Sequence, residues 1–297
     1  MKDYVAKNER ILNEWCEKFV EDKKQDKEYK GYNIEKYFAK DGIMNFGDRF
    51  TMDENGTIWR EASGEENTKW NECPVRVLFL TKDENTDGNK AWDVRKETFY
   101  AKRYGLPPQN NTISGSFFYQ NEVCLLYGLL NTTPGKMVLF NDDDFTWENA
   151  LRFSDCNIFA RINCKKEVGY STISNNDLQE AIDKYYDYLK KQILTLDADI
   201  LVCCGSQKGN NVILNTVMEI YDKEYNEKFE YYGCIDGKGT GMHYNFQRNK
   251  LAIDAYHLAY SYNGGLEARY NETVGMYYEF LKYLKKTNNI DFSASHR

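Results

Sequence analysis

The sequence predicts an α/β protein: a three-layer sandwich on a central, mostly parallel four-stranded sheet, with an N-terminal helix and β-hairpin elaboration ahead of it. Three observations predict this. Four apolar runs, at 75–80, 157–163, 200–204 and 251–256, are nearly continuous, as expected of strands covered on both faces. Stretches of helical periodicity separate them, the pattern of parallel crossovers. At 297 residues, 41% apolar and 15% aromatic, the chain is long enough to bury such a core.

Taken in order, residues 4–24 carry Val5, Ile11, Leu12, Trp15 and Phe19 at helical spacing, a stripe that faces the core. In DRFTMDENGTIWREA, the pair Asn55-Gly56 is expected to supply the positive backbone angles of a tight turn. Residues 1–74 are therefore an elaboration, and 75–297 the α/β domain. The first domain strand, 75–80, runs into a long loop to about Gly115. Helices are expected over 117–130 and 145–153, then a strand over 157–163. SNNDLQEAIDKYYDYLKKQILTL opens with capping residues and continues as one helix with Leu178, Ile182, Tyr185, Leu189 and Ile193 on a common face. Strand 200–204, helix 210–222, strand 251–256 and a last helix over 272–285 follow. The polar tail to Arg297 is expected to fray.

The net charge of −7 argues against coating nucleic acid nonspecifically, which needs clustered Lys and Arg. Lys165, Lys166, Lys208, Arg248 and Lys250 fall near strand ends and read as ordinary solvated charges, though they leave room for a local basic groove. Eight cysteines occur without CxxC spacing, several of them inside apolar runs, and read as free thiols of a reducing compartment. The chain shows no signal-like start and no long apolar span, so a soluble cytoplasmic protein is expected.

Ligands of α/β proteins bind beyond the carboxyl ends of parallel strands. Here those ends carry Asp83, Glu84 and Asn85; Asn163 with Lys165 behind it; Gly205 and Ser206; and His257 with Ser261. The chain has no GxxxxGK[ST] run, no GxGxxG after the first strand and no GxSxG elbow. Only three histidines occur, without HxH or HxxxH spacing, so no metal and no cofactor is expected. What remains is carboxylate, amide and imidazole from separate strands. That set suits cleavage of an N-glycosidic bond. A carboxylate positions water and stabilises a cationic sugar, an amide reads a base edge, and an imidazole donor stabilises the departing base.

On these residues the chain resembles the uracil-DNA glycosylase superfamily. The family's first motif, Gly-Gln-Asp-Pro-Tyr-His after a strand, corresponds to Thr81-Lys82-Asp83-Glu84-Asn85-Thr86 and places Asp83 on the water-activating aspartate. NIFARINCKK puts Asn163 at the base-reading asparagine, ILVCCGS puts Cys204-Gly205 at a Trp-Gly pair, and AYHLAYS puts His257-Leu258-Ala259 at His-Pro-Ser. The resemblance covers about Val75–Ser261 and implies a monofunctional DNA glycosylase acting on a flipped-out pyrimidine of single- or double-stranded DNA, without a lyase step.

Glu84 stands at the motif's proline and becomes an alternative water activator. Asn85 stands where the family's tyrosine blocks the C5 side of the base, which implies room for a C5 substituent and a role in repair or in defence against phage. Trp92 and Phe99 are candidates to stack on the base. Tyr260 is the candidate to fill the gap in the duplex, with Ser261, Lys165, Gly205 and Ser206 on the DNA backbone. Two other readings stay open: a nucleoside or nucleotide hydrolase with the same strand-end set, and a nucleic-acid-binding module that has lost catalysis.

Overall fold

A computed structural model describes residues 1–84, 90–140, 145–169, 172–206, 210–232, 241–260 and 265–288. Helix α1 (Tyr4–Lys23) leads to strand β1 (Gly42–Ile43), the hairpin β2 (Phe50–Met52) and β3 (Ile58–Arg60), and helix α2 (Glu66–Glu72). Strand β4 (Val77–Thr81) is followed by α3 (Phe117–Asn131), α4 (Trp147–Cys156) and β5 (Ala160–Asn163). Helices α5 (Asn175–Lys184) and α6 (Tyr186–Leu196) precede β6 (Ile200–Ser206) and α7 (Val212–Tyr225). Strands β7 (Glu230–Tyr232), β8 (Gly241–Asn245) and β9 (Lys250–Tyr256) come next, then α8 (Gly265–Asn288).

The four expected strands form the parallel centre of the sheet, but among the described residues the sheet has seven strands rather than four, in the order β1-β5-β4-β6-β9-β8-β7. Strands β5, β4, β6 and β9 run parallel, and β1, β8 and β7 add antiparallel edges. Numbered among themselves, the parallel strands lie 2-1-3-4. The winding therefore reverses at β4, and such a switch leaves a crevice beyond the carboxyl ends.

Alternation along the central strands builds two cores. Leu78, Leu80, Ala160, Ile162, Leu201 and Cys203 face α1, α5, α6 and α7. Val77, Phe79, Ile200, Val202 and Ile253 face α3 and α8. Each large apolar side chain buried there contributes about 1.5–3 kcal/mol. The N-terminal 74 residues belong to the same body: β1 pairs with β5 through Gly42↔Arg161 and Ile43↔Ala160. Leu12, Trp15 and Phe19 of α1 are part of the first core, and Trp70 of α2 donates its indole N–H to Leu196 O at 3.0 Å.

Two local expectations change. In the β2–β3 turn only Gly56 has positive φ, +79°. Asn55 does not, because the Asp53 carboxylate accepts the backbone N–H groups of Asn55 and Thr57, both at 2.9 Å, and closes the turn itself. The expected single helix over 175–196 breaks at Tyr185 (φ −120°, ψ 25°), whose ring packs against Trp15 and Phe19. No helix among the described residues is long and apolar enough to cross a membrane.

Candidate active site

The end of β4 is held by its neighbour. Parallel pairing continues past the strands, with Cys164 N–H donating to Thr81 O (2.9 Å) and Lys165 N–H to Lys82 O (2.8 Å). Gly169 N–H then donates to Glu84 O at 2.9 Å, so the segment after β5 clamps the turn that carries Asp83 and Glu84. Gly169 has to be glycine for this approach, since a Cβ there would overlap Asp83 Oδ2. Asn163 is fixed from two sides. Its backbone N–H donates to Asp41 Oδ2 (2.7 Å), and its Oδ1 accepts from Thr81 Oγ1 (2.5 Å), which orients the amide with its NH₂ as the remaining donor. The loop after β9 hangs on two buried donors, with Asn121 Nδ2 on Leu258 O at 2.6 Å and the Arg269 guanidinium on the carbonyls of Tyr256, Leu258 and Tyr260.

These ends enclose a cavity of about 280 Å³. Asp83, Glu84, Trp92, Asn163 and His257 all line it, with Glu97, Ser116, Phe118, Tyr119, Arg161 and Ala259. Its size suits a flat small ligand such as a nucleobase. Asp83 also lines a second opening of about 440 Å³, with Tyr29, Tyr32, Tyr37 and Gly169.

Burial raises both adjacent carboxyls, but their charged neighbours differ. Burial pushes Asp83 up, but Lys165 Nζ at 3.7 Å and the Lys82 charge oppose the rise. Burial, and then the charge of Glu97, pushes Glu84 up to about 9. Glu84 Oε2 is buried with no hydrogen-bond partner among the described residues, while Oε1 accepts weakly from Trp92 N–H at 3.4 Å. Glu84 is thus a neutral acid at pH 7. His257 is pushed down to about 4 by burial and by Lys82 and Arg269. Its Nδ1 accepts from Ala259 N–H (3.3 Å), which assigns the proton to Nε2 and makes the ring a neutral donor.

Sequence reasoning missed the wall behind these groups. Arg161 is buried in β5 between Glu97 (Nη1···Oε2 2.8 Å) and Glu122 of α3 (Nε···Oε1 2.8 Å), and Trp92 donates its indole N–H to Glu97. A charged residue in the middle of NIFARIN, two positions before Asn163 and so on the same strand face, was the available signal.

Other expected residues lie elsewhere. Phe99 is fully buried against Phe50 (5.0 Å) and under the Arg60 guanidinium, so it cannot stack on a base in this cavity. Thr98 sits at φ +57° and hydrogen-bonds Arg161, which turns Phe99 away from the cavity. Lys165 spends its ammonium on Glu167 O (2.8 Å), Val168 O and Asp83, leaving no free cation for a phosphate. Gly205 is buried under α7, where a Cβ would stand 2.6 Å from Asn211 Oδ1, so it meets protein and not DNA. Lys166 and Lys250 are not solvated but paired inside, with Asp41 at 2.5 Å and with Asp197 and Asp199. Tyr260 is half exposed and stacks on Tyr256 at 5.5 Å. Asn85, Ser261, Lys208 and the Ser206 side chain lie outside the described residues. No group of three or more potential metal ligands occurs among the described residues.

Comparison with models of known families, with curated proteins and with solved structures finds no match to this chain.

Proposed function

We propose that the protein hydrolyses the N-glycosidic bond of a flipped-out pyrimidine in DNA, as a divergent relative of the uracil-DNA glycosylase superfamily. The observation that carries this reading is that Asp83, Glu84 and His257 line one cavity, with two lysines opposing the rise of Asp83, Glu84 pushed up to about 9 and His257 neutral. Carboxyls whose environments separate their proton affinities take the roles of base and acid. Asp83, whose rise two lysines oppose, orients water and stabilises the developing sugar cation, and the Tyr29–Tyr37 opening that it also lines is a route for that water. The C1′–N bond breaks with its electron pair going to the base. Water oxygen bonds C1′ and gives its proton to Asp83, while Glu84 protonates the departing base. This assigns Glu84 as acid rather than as the water activator its sequence position suggested, because a carboxyl neutral up to about pH 9 does not accept water's proton. His257 Nε2–H donates to a base oxygen, Asn163 NH₂ donates to an acceptor on the base edge, and Trp92 offers a stacking face.

One observation favours a free nucleoside as the second reading. Arg161 is the sole cation lining the described cavity, and Glu97 and Glu122 neutralise it. The test compares alkali-labile abasic sites in treated DNA with hydrolysis of free nucleosides. Abasic sites lost in Asp83→Asn support the glycosylase; nucleoside turnover with intact DNA supports the second reading.

A further inference from the structure

The end of the sheet away from the cavity carries a feature that base excision does not use. Between α1, α6 and α7 lies an open cleft of about 780 Å³. Lys2, Lys7, Arg10, Lys190, Lys191 and Arg248 line it. Among the described residues only two carboxylates, Asp197 and Glu224, line it with them, in a chain whose net charge is −7. Lys2 pairs with Asp197 (3.2 Å) and Lys190 with Glu224 (3.4 Å), but Asp197 is also shared with Arg76 and Lys250. Lys7, Arg10 and Lys191 are exposed and make no ion pair among the described residues. Arg248 lies over Tyr225, its guanidinium carbon 3.3 Å from the ring centroid, and Glu227 holds its Nε at 3.0 Å. A guanidinium held over a ring and by a carboxylate in this way is preorganised to contact a phosphate or a base.

Asp197 and Arg248 stand just before β6 and β9, whereas Asn163 and His257 stand at the opposite ends of parallel strands. A seven-residue strand such as β9 separates the two places by roughly 20 Å.

We propose that this cleft binds the phosphate backbone of a nucleic acid, as a contact at the sheet end opposite the candidate catalytic cavity. A polynucleotide is favoured over an acidic protein because the cations form a local cluster around a ring-stacked arginine, the combination of charge and planar faces that single strands use. The proposal does not depend on the glycosidase reading, because its measurement is binding and not turnover.

The test is fluorescence anisotropy of a labelled single strand of about 30 nucleotides with the intact chain across a salt series. The triple variant Lys7→Glu, Arg10→Glu, Lys191→Glu is expected to weaken binding about tenfold or more and to make the slope of log K against log salt shallower by about two. Neutral replacements by Gln at the same three positions fall between, with unchanged thermal unfolding. The matched reversal Lys24→Glu, Lys27→Glu, Lys102→Glu, on exposed lysines elsewhere, leaves affinity within about twofold, as expected for charges that touch no phosphate. Equal loss from both triple reversals, an unchanged salt slope, or no binding by the parent chain would overturn the proposal. Displacement by poly-glutamate as effective as by unlabelled oligonucleotide would overturn it too, and assign the cleft to an acidic protein.

Discussion

Asp83 and Glu84 are neighbours in sequence and burial raises both, yet two lysines oppose the rise of one while Glu97 adds to that of the other, whose Oε2 has no hydrogen-bond partner among the described residues. Glu84 keeps its proton in the folded chain up to about 9. Between the ordinary carboxyl value and that point the folded state binds one proton more than the unfolded state, so stability falls as pH rises across the window. By pH 7 the loss is on the order of 3 kcal/mol. Glu84→Gln is therefore expected to raise the melting temperature at pH 7–8 while lowering base release, and to remove the alkaline fall in rate; thermal unfolding and a pH–rate profile check both. His257 works with the opposite sign. Its value, about 4, lies below that of a free histidine, so the unfolded state binds more protons between about pH 4 and 6.5, and its contribution to stability grows as pH rises through that window. His257→Gln is expected to slow base release by roughly 10²–10³-fold, read in single-turnover kinetics. Asp83, Asn163 and His257 were legible because polar residues interrupt apolar strands at their ends. The roles were less legible: nothing in KDEN tells which carboxyl keeps its proton, since burial and the Glu97 charge arise only from packing.

At the scale of elements, the site depends on two loops clamped to one another. Gly169→Ala would drive a Cβ into Asp83 Oδ2. The expected result is a loss of about 10²-fold in base release with near-native thermal unfolding, since a misplaced reacting group costs that much without disturbing the core. Arg161 tests the wall. Arg161→Met leaves Glu97 and Glu122 buried without their cation, and chemical denaturation is expected to show a loss of about 3–5 kcal/mol. The four parallel strands were readable because both their faces are apolar. The three added strands were not: β1 is two residues long, β7 is largely exposed, and β8, GMHYN, mixes polar and apolar positions. The break at Tyr185 was invisible because no glycine or proline marks it, and the inward ring is a tertiary choice.

Over the whole molecule, the first 74 residues complete the sheet edge and one helical layer. A chain beginning at Val75 exposes the Leu78, Leu80 and Ile162 face that α1 covers, and it is expected to lose cooperative thermal unfolding by circular dichroism. Composition anticipated a buried core but not the distribution of charge, because a net charge of −7 averages over a basic cleft and an internally neutralised cavity. The central claim is that Asp83 and Glu84 together release a base from DNA. Mass spectrometry of the free bases liberated from DNAs bearing plain and C5-substituted pyrimidines, with the parent chain beside Asp83→Asn, tests it most directly. The account predicts a free pyrimidine and a matching abasic site from the parent chain and neither from the variant. Release of no base from any DNA, or equal release by Asp83→Asn, would contradict it.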